Sequence, residues 1–375
     1  MVCLADYDPD GLAALLVRWG HRPVHAKRLL RAFYDGCGEV ELHALPVGAG
    51  LRDRLRAEWA ARSSLATVRR AADGTAKLLV SLRDGTAVEA VLMPAFRPDR
   101  AAGCVSSQVG CAMGCDFCAS TRRGMERNLD SGEIVEQFLH LKRAARGVGR
   151  KVTSLVFMGM GEPMHNLDNV IPAVRRIADA PTGALGWRQV TISTVGVVPG
   201  IDRLTAEDLN VNLAVSLHAP DDTTRGRIVP SNRRYPVAEV LKATRRFASR
   251  TGRIPTIEYC MLDGVNDTDD HARQLAGMLR ADRFHVNLIP YNPTGVGVSG
   301  AKYRRPAGNR VGAFLGLLRS GGVVAHVRAA RGDDVDAACG QLRETHASAP
   351  VALSFADGRG PPDAPVRAGP PPCGL

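Results

Sequence analysis

Aromatic residues are scarce in this chain: 3 Trp, 6 Tyr and 9 Phe make up 5% of its 375 residues. A broad base-stacking platform of the kind single-strand binders use is therefore not expected. Long apolar runs are missing too. No stretch approaches the roughly 18 residues of a membrane span. The opening MVCLADYDPDG carries neither the basic leader nor the apolar core of a secretion signal, so a reducing cytoplasm is the expected setting. An even, regularly spaced set of cysteines is also lacking. The nine cysteines fall at uneven intervals, which does not read as a disulfide framework. In a reducing compartment thiols serve metals or catalysis more often than staples.

What is present is basic charge. Lys and Arg number 49 against 38 Asp and Glu, a net charge of +11. The surplus suits a polyanionic partner, although an arginine-rich surface also serves solubility. Hydrophobic content of 45% with 23% charged residues is that of a soluble globular enzyme. The length allows one large domain and a smaller one.

Residues 9–70 read as helices, with Asp10 as a candidate N-cap in PDGLAALLVRWG and basic residues (Arg18, Arg22, Lys27, Arg28, Arg31) on an outer face. AKLLVSLRDGTAVEAVLMP reads as a hairpin about Asp84-Gly85. From about residue 100, β-branched or apolar runs alternate with helix-like stretches: 152–159, 189–196, 210–218, 254–262, 284–292 and 322–328. Repeating βα units imply a parallel sheet, either open or wound into a complete or partial barrel. Domains are expected at 1–74 (helical accessory), 75–99 (hairpin linker) and 100–347 (the βα domain). The Pro/Gly-rich 348–375, without periodicity, is expected to be a disordered tail.

The chemistry concentrates in CAMGCDFC, which sets Cys111, Cys115 and Cys118 at Cys-x3-Cys-x2-Cys spacing. Three thiolates can hold three irons of a [4Fe–4S] cube and leave the fourth open to a ligand. Reductive cleavage of S-adenosylmethionine is the leading chemistry for such an iron. A zinc site completed by Cys104 or a distant His remains the alternative. Downstream, VFMGMGEP ends in Gly161 and Glu162: glycine lets backbone approach a ligand, and the carboxylate can pair with a methionine ammonium. Ser193, Ser216, His218 and Asn292 each stand where a strand ends, the place where parallel βα folds gather binding groups.

CVSSQVGCAMGCDFC, VFMGMGEP, TISTVGVVPGI, LAVSLHAPDD, LIPYNP and RGDDVDAACGQL, in that order through most of residues 75–343, resemble the RlmN/Cfr family of radical S-adenosylmethionine rRNA adenine methyltransferases. The resemblance implies an α/β partial (β/α)6 radical-SAM barrel behind a helical accessory domain. It also implies a [4Fe–4S] cluster with S-adenosyl-L-methionine, and it adds Leu217 to the adenosylmethionine-binding set. The implied substrate is an adenosine of 23S rRNA at the peptidyl transferase centre, often with a second beside the tRNA anticodon. A reductant such as flavodoxin or ferredoxin and a monomeric state are implied as well. In the family scheme Cys339 takes a methyl group from one adenosylmethionine. A radical derived from a second activates that methyl, which adds to adenine. Glu89 then takes a proton from the adduct, and Cys104 attacks the Cys339 sulfur, forming a transient disulfide that a thiol must reset. The RGDDVDAACGQL end resembles the carbon-2 group more than the carbon-8 antibiotic-resistance relatives. A non-catalytic RNA-binding metalloprotein is the remaining alternative. Cys3, Cys37, Cys260 and Cys373 match no family role. Ala329 and Ala330, and the basic pair Arg122 and Arg123, depart from the family pattern beside the essential positions.

Overall fold

The computed structural model describes residues 1–178 and 185–342; the segment 348–375, expected to be a disordered tail, lies outside them. Three helices open the chain: α1 (Pro9–Arg18), α2 (His25–Asp35) and α3 (Ala49–Glu58). Asp8, not Asp10, caps α1, its carboxylate accepting from the Gly11 N–H at 2.7 Å. Pro9 takes the first helical position, where the N–H it lacks would have had no partner, and this moves the cap one step upstream of proline. Leu12, Leu16, Leu29 and Phe33 are buried, while Arg18, Arg22, Lys27, Arg28 and Arg31 stay exposed.

The helices do not run to residue 70. SSLATVRR forms β1 (Ser63–Arg70), antiparallel to β2 (Ala76–Leu82). Helix propensity of its Ala, Leu and Arg residues loses to pairing against an open hairpin edge, as strand formation depends on neighbours more than on composition. β2 and β3 (Ala87–Pro94) form the expected hairpin, whose turn is held by Asp84 Oδ1 accepting from the Thr86 N–H at 3.0 Å.

β4 (Arg100–Cys104) is the hinge of the topology: antiparallel to β3 on one side, parallel to β7 (Lys151–Phe157) on the other. A short ribbon, β5 (Gln108–Gly110) with β6 (Met125–Asn128), and helix α4 (Ser131–Arg146) lie between them in sequence. The chain then alternates α5 (Leu167–Ala178), β8 (Val190–Thr194), α6 (Val198–Ala206), β9 (Asn212–Ser216), α7 (Asp222–Ile228), α8 (Val237–Thr251), β10 (Thr256–Met261), α9 (Asp269–Leu279), β11 (His285–Pro290), α10 (Gly308–Ser320) and β12 (Val324–Val327). The ten-stranded sheet runs β1-β2-β3-β4-β7-β8-β9-β10-β11-β12, parallel from β4 onward. Among the described residues its two edge strands do not pair, so this α/β barrel stays partial.

All six strands read from sequence are present, and β4 adds a seventh to the parallel run. RAAGC contains no β-branched residue, so its strand character comes from the partners on both sides. The sequence runs overshoot the strands at their C-terminal ends, and those overhangs are where the backbone leaves the sheet to build the site. On the outer face, α4 grips the end of α2 with three cations. Lys142 Nζ donates to the Tyr34 carbonyl at 2.6 Å, Arg143 Nη2 to Cys37 at 2.8 Å and Arg146 Nη2 to Asp35 at 2.5 Å. Positive charge is favoured where a helix leaves its carbonyls unpaired. No described helix is long and apolar enough to cross a membrane.

Candidate active site

The C-terminal ends of the parallel strands open into a cleft with an empty volume of about 970 Å³, counting the part open to solvent. Its lining unites Cys111, Cys115, Cys118, Gly161, Glu162, Ser193, Ser216, His218 and Cys339, residues spread over more than two hundred positions.

The three-cysteine loop leaves the β5–β6 ribbon through Gly110. Its φ of +74° and the 2.0 Å that a Cβ would leave to the Gly124 carbonyl oxygen demand glycine. The loop is then pinned from outside. The buried Asp116 carboxylate accepts from Ser299 Oγ at 2.6 Å and Tyr303 OH at 2.6 Å, and the Thr294 hydroxyl donates to the Phe117 carbonyl at 3.1 Å. Burial pushes the Cys111 thiol up to about 12. It raises Cys115 and Cys118 as well, and charge on one sulfur opposes charge on the next. Iron held by these three residues would reverse that balance by supplying the positive charge that ionises thiols. The fully buried Arg225 lies behind this loop. Its guanidinium donates to Leu217 O at 2.9 Å, Asn232 Oδ1 at 2.9 Å and Val195 O at 2.5 Å, tying the ends of β8 and β9 and adding a cation near Cys115. Among the described residues no three His, Cys, Asp or Glu side chains are grouped to hold a metal ion. Three thiolates on one loop match a cube that takes three protein ligands and keeps its fourth iron open. The donor set suits the cluster.

Glu162 faces the same cleft. Its Oε1 accepts from the Met164 N–H at 3.1 Å and its Oε2 from the Val195 N–H at 2.9 Å. Burial nonetheless pushes its carboxyl up to about 7. Gly161, at φ +98°, could not carry a side chain, since a Cβ would stand 2.6 Å from that of Gln108. His218 is held by burial, then by the Arg225 charge, down to about 3 and is neutral. Its Nδ1 accepts from the Cys260 N–H at 3.0 Å, which leaves the proton on Nε2. Its ring meets Phe117 edge-on at 4.9 Å.

Cys339 is exposed at the rim, on a loop fastened to the cluster loop by the Ala119 N–H donating to Gly340 O at 2.7 Å and by Ser120 Oγ donating to Leu342 O at 2.8 Å. Cys104, at the end of β4, is buried; desolvation, then the nearby Cys339 charge, pushes its thiol up to about 12. Arg328 responds to both sulfurs and lies 3.5 Å from Glu258 Oε2. All eight described cysteines are free thiols.

Four residues expected in the site do not line the cleft: Cys104, Leu217, Asn292 and Glu89. Leu217 is fully buried, with its carbonyl taken by Arg225. Asn292 supports the rim, Nδ2 donating to Cys339 O at 3.3 Å while Oδ1 accepts from Arg305 Nη2 at 2.6 Å. Glu89 is neither a lining residue nor a solvated strand glutamate; it is buried 3.1 Å from Lys77 Nζ. Cys260, read from sequence as ordinary, lines the cleft. Sequence reasoning missed Glu258, Arg328, Arg225 and Asp116. Glu258 carried a signal, a lone carboxylate inside the apolar run IPTIEYCML, but nothing local reveals which charge meets it.

The profile of the Radical SAM superfamily matches residues 105–276, and fold and site together define a radical SAM enzyme; that it is an RNA methyltransferase follows from its relatives. "Probable dual-specificity RNA methyltransferase RlmN 1" of Opitutus terrae is 58% identical over 342 residues, 91% of this chain and 96% of that protein. "Probable dual-specificity RNA methyltransferase RlmN" of Rhodopirellula baltica is 42% identical over 341 residues, 91% and 90% of the two chains. The crystal structure of a radical SAM methyltransferase from Sphaerobacter thermophilus superposes with a TM-score of 0.86 at 42% identity, covering 92% of this chain and 99% of that one. The chain belongs to the RlmN family of radical SAM RNA methyltransferases.

Proposed function

We propose that this enzyme methylates carbon 2 of an adenosine in 23S rRNA and of an adenosine beside the tRNA anticodon, with Cys339 as the methyl carrier. The observation that carries the reading is the return of Cys339 to the rim of the cleft that holds Cys111, Cys115 and Cys118, with Cys104 close enough to feel its charge. The dual specificity in the relatives' names supports two RNA substrates.

When bound at Cys111, Cys115 and Cys118, the cluster with adenosylmethionine supplies one-electron chemistry that polar groups cannot perform on an unactivated methyl. The chain's own groups do the rest. Glu162 receives the methionine ammonium, Ser193, Ser216 and the Nε2–H of His218 offer polar contacts, and Asn292 holds the Cys339 carbonyl. Cys339 carries the methyl as a thioether. Once that methyl carbon has bonded to carbon 2, Glu89 accepts the proton lost there, and the one electron released with it would return to the cluster. Cys104, once deprotonated, attacks the Cys339 sulfur; a disulfide forms, the electron pair of the sulfur–carbon bond goes to the carbon, which takes up a proton to become the methyl group, and the methylated base leaves. A thiol reductant returns both cysteines. The Arg328 charge works against the rise that burial imposes on the Cys104 thiol, without cancelling it.

Nucleoside mass spectrometry of 23S rRNA and tRNA incubated with the reconstituted enzyme is expected to show 2-methyladenosine. 8-Methyladenosine, or no modified base, would overturn the reading. Cys339→Ala is expected to be inert toward RNA with its cluster intact, whereas Cys104→Ala should accumulate as a nuclease-sensitive protein–RNA adduct.

A further inference from the structure

Two charges in the β2–β3 hairpin are buried without serving the core. Lys77 is 3% exposed and Glu89 1%, with Nζ and Oε1 3.1 Å apart. Lys77 pairs with Val91 and Leu79 with Glu89 in the strand register, so the two are diagonal neighbours on one face. The alternate residues, Leu78, Val80, Val88 and Ala90, join the hydrophobic core, as does Val91 opposite Lys77. A buried ion pair gains little or nothing over apolar residues of similar size, because desolvation offsets the attraction. Fold stability therefore does not account for this one.

The ammonium has another partner. It donates to the backbone carbonyl oxygen of Asp336 at 3.2 Å, three residues before Cys339. Asp336 has a φ of +52°, a conformation that residues with a side chain keep where the surroundings hold it. The loop is fastened at one end by the Gly332 N–H donating to Asp73 Oδ2 at 3.2 Å. At the other, Gly340 O accepts from the Ala119 N–H at 2.7 Å. Between these anchors, Lys77 reaches it from the sheet.

We propose that Lys77 is a positioning residue that couples the Cys339 loop to Glu89: a single ammonium holds the Asp336 carbonyl and the Glu89 carboxylate, so docking of the loop and placement of the carboxylate occur together. The inference rests on the roles given above to Cys339 and Glu89. Both groups must meet the same base in sequence, and a shared tether keeps the thioether carrier and the proton acceptor in a common frame.

Full-length Lys77→Met, Lys77→Arg and the double variant Lys77→Met/Glu89→Gln, each with cluster reconstituted, test it. The first readout is hydrogen exchange of the amides of residues 335–339, which is independent of turnover. Lys77→Met is expected to speed exchange there at least fivefold while β10 is unchanged, and Lys77→Arg, which keeps charge and donors, to restore most of the protection. The double variant removes the charge of both partners, so it serves as the comparison if Lys77→Met folds poorly; its loop should still exchange fast. The second readout, single-turnover RNA methylation, should fall tenfold or more in Lys77→Met and recover largely in Lys77→Arg. Wild-type loop exchange in either Met variant overturns the coupling. A Cys339→Ala enzyme that still methylates RNA would instead remove the underlying reading and leave the exchange result standing.

Discussion

Glu162 combines two opposing preparations in one side chain. Two backbone N–H groups point at its oxygens, which favours the carboxylate, yet burial outweighs them and its carboxyl is pushed up to about 7. A cation placed against it would complete the charge, and the ammonium of adenosylmethionine is the cation proposed for that place. Glu162→Gln keeps the shape and removes the charge. It is expected to weaken adenosylmethionine binding about tenfold or more, the scale of a lost charge-assisted hydrogen bond (~1.5–3 kcal/mol), with cluster absorbance unchanged. In the parent enzyme affinity should decline as pH falls below about 7, because the ligand must then displace a proton from the carboxyl. An equilibrium titration giving equal affinities for parent and variant would remove Glu162 from the ligand site.

Helix α4 opens on a capping box of Asp130 and Glu133, and its helix-like run SGEIVEQFLHLKRAA is legible from the chain alone. Its inward polar residues are not. Glu136 accepts from Ser63 Oγ at 2.5 Å and from Cys3 Sγ at 3.1 Å, and His140 Nε2 lies 3.1 Å from the same hydroxyl. These contacts draw the N-terminal segment, β1 and α4 into one buried network between residues more than sixty positions apart. Burial, then the Arg143 charge, holds the His140 imidazole down from 6.5 to about 3. Above pH 6.5 the group is neutral in both folded and unfolded chains. As pH falls from 6.5 toward 3 the unfolded chain takes up a proton that the folded chain refuses, so stability falls by up to about 1.4 kcal/mol per pH unit. Glu136, which burial raises, acts in the opposite sense. Comparison with His140→Gln isolates the histidine: the variant's Tm should drop less than the parent's on acidification from about pH 7.5 to about 5. Parallel curves would show that the folded protein protonates His140.

For the molecule as a whole, the net charge of +11 acquires a place only when the helices fold. Arg18, Lys27, Arg28 and Arg31 on α1 and α2, and Arg22 in the turn between them, all remain exposed, while the apolar sides of the helices pack inward. Phosphate contacts from such a face release counterions, so affinity falls with salt in proportion to the number of phosphates neutralised. Reversing Arg18, Arg22 and Lys27 to Glu is expected to lower affinity for substrate RNA. The log–log salt slope should flatten by roughly 0.7–0.9 for each phosphate no longer neutralised, as filter binding over a salt series would record. An unchanged slope would make the helical segment structural only.

The local signals in this chain are strong wherever the chemistry is local. Cys-x3-Cys-x2-Cys must lie on one loop because three thiolates share one cluster, and alternating β-branched runs declare strands because side-chain period and burial coincide. Those features, and the family they resemble, are readable without coordinates. Pairing across the chain is not. That residues 63–70 become a strand, that Glu89 meets Lys77 rather than water, and that Arg225 ties the ends of β8 and β9 all depend on partners distant in sequence. So does the entry of Cys260 and Glu258 into the cleft. A side chain's own neighbours in sequence fix its periodicity, but its burial and its charge partner are set by which strands pair and in what register, and the tertiary fold alone decides that.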